Sequence, residues 1–232
     1  MSKIGRSALL CCVLLTGSAL ATPSVTVTRT SGCYSGSGGE FTLTPNAELR
    51  TLTGPSGTWE SFCLERTEFV TIGSTYNAVV NTEAMLGGLN NGVPGPGGGD
   101  PVDARTAYLY SNFAGGTLTG YNYTPGTGRA NSAAALQDVI WYLEDEAAQT
   151  WNAGSLQSTF YTAAQNAVAS GTWTGLGNVR VLNLYAAGHA GDLQYRAQDM
   201  LATTVTVPAP GALLLASLGA SLVGWLRRRR VL

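Results

Sequence analysis

Asn131-Ser132-Ala133-Ala134-Ala135-Leu136-Gln137-Asp138-Val139-Ile140-Trp141-Tyr142-Leu143 is the stretch on which the fold turns. Leu136, Ile140, Leu143 and Ala147 recur at helical spacing, and Asn131 or Ser132 offers a capping side chain. The spacing therefore predicts a helix from Asn131 to about Gln149. Outward from it the period changes. Val25-Thr26-Val27-Thr28 and Glu40-Phe41-Thr42-Leu43 read as short strands. Thr58 to Phe69 reads as a strand with Phe62 and Leu64 on one face and Cys63 and Glu65 on the other. Tyr76 to Val80 reads as its hairpin partner across the Gly73-Ser74 turn.

Asp103 to Phe113 reads as a short helix with Ala104, Ala107, Tyr108 and Ser111 on one side. Gly154-Ser155 opens another with Leu156, Phe160, Ala164 and Ala167. Residues 179–184 return to period two, and a last strand is expected from Gln198 to Val207. Strands at both ends with helices between them argue for α+β: a β-rich sandwich or barrel-like domain with an inserted helical segment. Residues 87–101 are Gly/Pro-rich with few side chains to pack, and lack both the lysine of a phosphate loop and the acidic spacing of a calcium loop.

Both ends of the chain read as export signals. Lys3 and Arg6 precede an apolar run over 8–15, and Ala19-Leu20-Ala21 supplies a small-residue cleavage site, so residues 1–21 read as a secretory signal peptide. At the other end Val207-Pro208-Ala209-Pro210 leads into an uncharged apolar run, 211–226, closed by Arg227, Arg228, Arg229 and Arg230. That reads as a single transmembrane helix with a cytoplasmic basic stop. Roughly sixteen residues reach only about 24 Å, and Trp225 and snorkelling arginines make up the rest of the hydrocarbon core. The intervening 22–206 fit one extracytoplasmic domain. The order Pro-Xaa-Pro, span and arginine cluster resembles the PEP-CTERM tails sorted by exosortases. Ala209 stands where a glutamate is usual, a departure that implies a variant, exosortase-like processing enzyme. The resemblance implies an inner-membrane intermediate and a final place in the cell envelope, at the cell surface or outside the cell.

Charged residues make up only 12% of the 232, and the formal net charge is −1. With no basic patch outside the tail, nucleic acid is excluded as a partner. His189 is the single histidine and lies in a glycine-flanked stretch, so a nucleophile–histidine pair has little to draw on and no catalytic residue is assigned. Zinc lacks ligands, and neither a metal nor another cofactor is expected. Glu144, Asp145 and Glu146 read as a solvated helix face. Cys33 and Cys63 are the two cysteines of the mature region, and a disulfide between them is the plain expectation in an oxidising compartment.

Phe62-Cys63-Leu64-Glu65 and Leu136-Gln137-Asp138-Val139-Ile140-Trp141 carry a sharper alternative. About seventy residues apart, they resemble the two halves of the thioester domain of bacterial surface adhesins. Two positions depart from that pattern: Leu136 stands where threonine is usual, and Val139 where alanine is common. The resemblance implies an internal thioester between Cys63 and Gln137, shielded from water by Phe62 and Trp141. It also implies a single-use covalent link to an amine or hydroxyl on a partner surface or exopolysaccharide, without turnover. The competing reading is a non-covalent matrix or carbohydrate-binding module with a Cys33–Cys63 disulfide and Trp59, Trp151 and Trp173 exposed for sugar stacking.

Overall fold

The computed structural model describes residues 21–36, 38–54, 57–85 and 97–204. Ala19, the tail residues Val207, Pro208, Ala209, Pro210 and Arg227 to Arg230, and the 211–226 span lie outside the described residues. Among those described, no helix is long and apolar enough to cross a membrane.

The fold is α+β. Six antiparallel strands form one sheet in the order β3 (Trp59–Ser61), β2 (Phe41–Pro45), β1 (Ser24–Thr28), β4 (Thr75–Asn81), β7 (Val179–Tyr185), β8 (Met200–Thr203). The sheet nearly closes into a barrel. Just beyond β3, Cys63 forms an antiparallel bridge with Met200, flanked by Leu64 N–H to the Asp199 carbonyl at 3.0 Å and Leu201 N–H to the Phe62 carbonyl at 3.1 Å. A two-stranded ribbon of β5 (Glu83–Ala84) and β6 (Asp100–Pro101) flanks it.

Side-chain alternation divides the core in two. Val25, Val27, Phe41, Leu43, Cys63, Leu182, Leu184 and Met200 fill one cluster with Leu49 from helix α1 (Ala47–Thr53). The opposite face presents Phe62, Leu64, Val179, Val181 and Leu201 to three helices, α2 (Ala104–Ala114), α3 (Thr127–Leu143) and α4 (Leu156–Ala169). With both faces covered, β7 is buried nearly end to end.

Several sequence expectations change. The strand expected over 58–69 stops at Ser61, because beyond Phe62 the chain leaves β2 and meets β8 instead. The Gly73-Ser74 turn forms, but β4 pairs with β1 and β7, not with β3. Helix α2 buries Thr106, Ala107, Leu109, Tyr110 and Phe113, so of the Ala104, Ala107, Tyr108 and Ser111 side only Ala107 is buried. Helix α3 starts at Thr127, before Asn131, and ends at Leu143 instead of near Gln149.

Candidate functional site

The two motif halves meet where β2 and β3 separate. Their register runs Leu43↔Trp59, Thr42↔Glu60, Phe41↔Ser61, and two steps further would set Gly39 opposite Cys63. The backbones part there, and the Gln137 carboxamide occupies the gap. Its Oε1 accepts from the Cys63 N–H at 3.2 Å and the Gly39 N–H at 3.4 Å, while its Nε2 donates to the Cys63 carbonyl at 2.9 Å. The bonds to β8 come from the neighbours of Cys63, which leaves its own N–H and C=O directed at Gln137. Gln137 is 1% exposed and Cys63 5%, so the carboxamide is buried.

Helix α3 delivers Gln137 because both of its ends are tied to segments flanking the site. At the start, Arg129 donates through Nε at 2.7 Å and Nη2 at 2.6 Å to Glu40, the residue before β2, and Tyr121 O–H adds a bond of 2.5 Å to the same carboxylate. At the end, the chain turns through Asp145 at φ 61°, with Glu146 N–H on the Trp141 carbonyl at 2.7 Å and Asp145 N–H on that of Tyr142 at 3.3 Å. This is a Schellman stop with aspartate where glycine is usual. It carries Glu146 inward, where its carboxylate accepts the Arg66 N–H at 3.0 Å and a bond from the Glu65 carboxyl.

The expectation of a solvated acidic face is therefore wrong: Glu144 and Glu146 are buried. Burial, and then the Glu146 charge, pushes Glu65 up to about 9, and burial pushes Glu144 up to about 8 and Asp199 to about 7. Cys63 follows the same rule. Burial pushes its thiol up to about 12, against a weaker lowering by Arg29. The niche favours an uncharged sulfur, whether thiol or thioester, over a thiolate.

The cover over the site comes from the glycine-rich segment just before β2. A Cβ on Gly38 would lie 2.7 Å from Gln137 Cγ and 2.8 Å from Trp141 Cη2, so backbone lies directly on both side chains. Above Gln137 a cleft of about 180 Å³ opens between Ser35, Gly36, Gly38, Asp138 and Trp141. Cys63 lines a separate cleft of about 240 Å³ with Arg29, Phe69, Ile72 and Gln198. Trp141 also packs under the Arg66 guanidinium, 5.9 Å from its ring centre. Phe62 sits elsewhere than expected. It belongs to the helix-side core, edge-on to Phe113 at 4.9 Å, on the opposite face from the Cys63 side chain. The Gly38-Gly39 pair immediately before a strand was the available signal for this cover.

The competing readings lose their residues. Cys33 and Cys63 are both buried and both free, so the expected disulfide does not form. Trp59 packs on the barrel-side cluster, and Trp151 and Trp173 on the helix side, where Tyr142 and Tyr108 meet them edge-on. None is an exposed stacking platform. His189 stacks on Tyr195 with 3.6 Å between ring centres, and Asp192 is engaged in capping the 3₁₀ turn Leu193–Tyr195. Among the described residues no group of three His, Cys, Asp or Glu side chains is arranged to hold a metal ion. Comparison with family models, with curated proteins and with solved structures returns no match.

Proposed function

We propose that this chain is an exported envelope or surface protein that forms an internal thioester between Cys63 and Gln137 and uses it once, to acylate an amine or hydroxyl on a partner surface or exopolysaccharide. One observation carries the reading. A glutamine 74 residues away in sequence is buried against the main chain of the cysteine, with every polar atom of its carboxamide engaged there or at Gly39. A buried glutamine can also serve as a strand-edge cap, which makes chemical state the decisive test. The dryness of the niche suits the thioester, because a bond that water reaches does not last.

The export signals complete the proposal. Ala19 and Ala21 mark the signal cleavage, and Val207-Pro208-Ala209-Pro210 with Arg227 to Arg230 direct the tail to the inner membrane and to an exosortase-like enzyme. The mature domain purified from the envelope is expected to weigh one ammonia less than its sequence, and methylamine is expected to add at Gln137 and release the Cys63 thiol. An intact mass equal to the sequence, with Gln137 an unmodified amide, would refute the thioester.

A further inference from the structure

We propose that the main-chain N–H groups of Gly39 and Cys63 form an oxyanion cradle for the Gln137 acyl oxygen, and that Gly38 lacks a side chain to admit that acyl group. The proposal rests on the Cys63–Gln137 thioester reading and names the groups that regulate its formation. Both N–H groups converge on one oxygen, Gln137 Oε1, from strands that would otherwise bond to each other. The third bond, from Nε2 to the Cys63 carbonyl, fixes the rotation of the amide, so oxygen and nitrogen cannot exchange places.

The chemistry needs that arrangement. When Cys63 Sγ adds to Gln137 Cδ, the C–S bond forms, the C=O π pair moves onto Oε1, and the sulfur proton passes to Nε2. Collapse restores C=O, breaks C–N and releases ammonia. When an incoming amine later attacks, the same oxygen takes the charge again, the C–S bond breaks, and a proton from the amine ends on sulfur. Charge on Oε1 is met each time by two fixed donors in a dry site, where such donors act most strongly. The donor distances of 3.2 and 3.4 Å suit a neutral carbonyl and have room to shorten as charge develops. Gly39 reaches this position at φ 90°, and a Cβ there would press to 3.0 Å on the Ser35 nitrogen.

The test replaces one atom. Gly39→glycolate exchanges the N–H for an ester oxygen and leaves every side chain in place. Thioester formation, followed by loss of ammonia in intact mass, is expected to slow on the order of 10²-fold. The infrared stretch of a ¹³C-labelled Gln137 carbonyl is expected to move to higher wavenumber. A purely structural bond would lower Tm and shift that stretch while leaving the rate of ammonia loss unchanged. An unchanged rate overturns the cradle. If the native protein loses no ammonia, the thioester reading fails by itself, and the cradle is judged on the carboxamide stretch, which must still shift in Gly39→glycolate. Gly38→Ala is expected to keep its circular dichroism spectrum and abolish ammonia loss. Normal ammonia loss in that variant overturns the role given to Gly38.

Discussion

Helix α3 is anchored at its first turn by opposite charges and just past its last turn by two like groups. Arg129 and Glu40 form a bidentate pair in which Glu40 is fully buried, so the carboxylate has its countercharge. Glu65 and Glu146 instead meet as two carboxyl groups joined by a hydrogen bond. They are compatible because Glu65 keeps its proton and donates it. The first anchor is an ion pair, and the second is made of a proton. Since Gln137 lies between them, its placement has one permanent support and one conditional support.

The largest expected effect comes from breaking the permanent one. Arg129→Met keeps most of the side-chain bulk and leaves Glu40 buried beside Tyr121 without its cation, a loss of about 3–5 kcal/mol in urea unfolding. A loss under about 1 kcal/mol would contradict the ion pair as the support of the helix start.

The conditional anchor is probed by pH. Glu65, Glu144 and Asp199 hold protons in the folded protein that the unfolded chain releases above its ordinary carboxyl values. Their contribution is therefore fully present below about pH 4 and declines as pH rises, until the folded values near 7 for Asp199, 8 for Glu144 and 9 for Glu65 are passed. Each of these groups is expected to lower stability by about 1.4 kcal/mol per pH unit between its ordinary carboxyl value and its folded value. Most proteins with salt-bridged carboxylates behave the other way over the acid half of that range. Denaturant midpoints that rise from pH 5 to 8 would contradict the proton-sharing arrangement. Glu65→Gln sharpens the comparison at smaller cost. Its amide donates to Glu146 at every pH, so the Glu65 share of the decline, from its ordinary carboxyl value up to about pH 9, is expected to disappear.

How much of this was readable beforehand follows from the range of each interaction. β1, β2 and β7 showed in their period because alternation is local, and α4 in its helical spacing and Ser155 cap. The Gly73-Ser74 turn was also local, but the partner of β4 was not, since no short-range pattern distinguishes β3 from β1 and β7. Helix α1 was overlooked, although Asn46 caps it through the Leu49 N–H at 2.9 Å, because seven residues carry little periodicity. The early start of α3 depends on Arg129 reaching Glu40, 89 residues away, a tertiary bond that overrides the glycine at 128. The pairing of Cys63 with Gln137 was legible only through motif resemblance. Glu144 was misread because a carboxyl that keeps its proton looks, in a sequence, like any surface charge.

The smallest effect separates the helix stop from the proton. Asp145 ends α3 in a left-handed conformation that a glycine adopts without strain, so Asp145→Gly is expected to stabilise the protein by about 0.5–1 kcal/mol. Because the substitution leaves Glu65 and Glu146 in place, the pH slope is expected to stay as it was while the whole denaturation curve moves to higher urea. A gain with an altered slope would mean that Asp145 takes part in the carboxyl cluster. A loss of stability would mean that its side chain contributes more to the stop than its backbone costs. Either result would shift the conditional support of Gln137 from the Glu65–Glu146 proton to the turn that carries Glu146 inward.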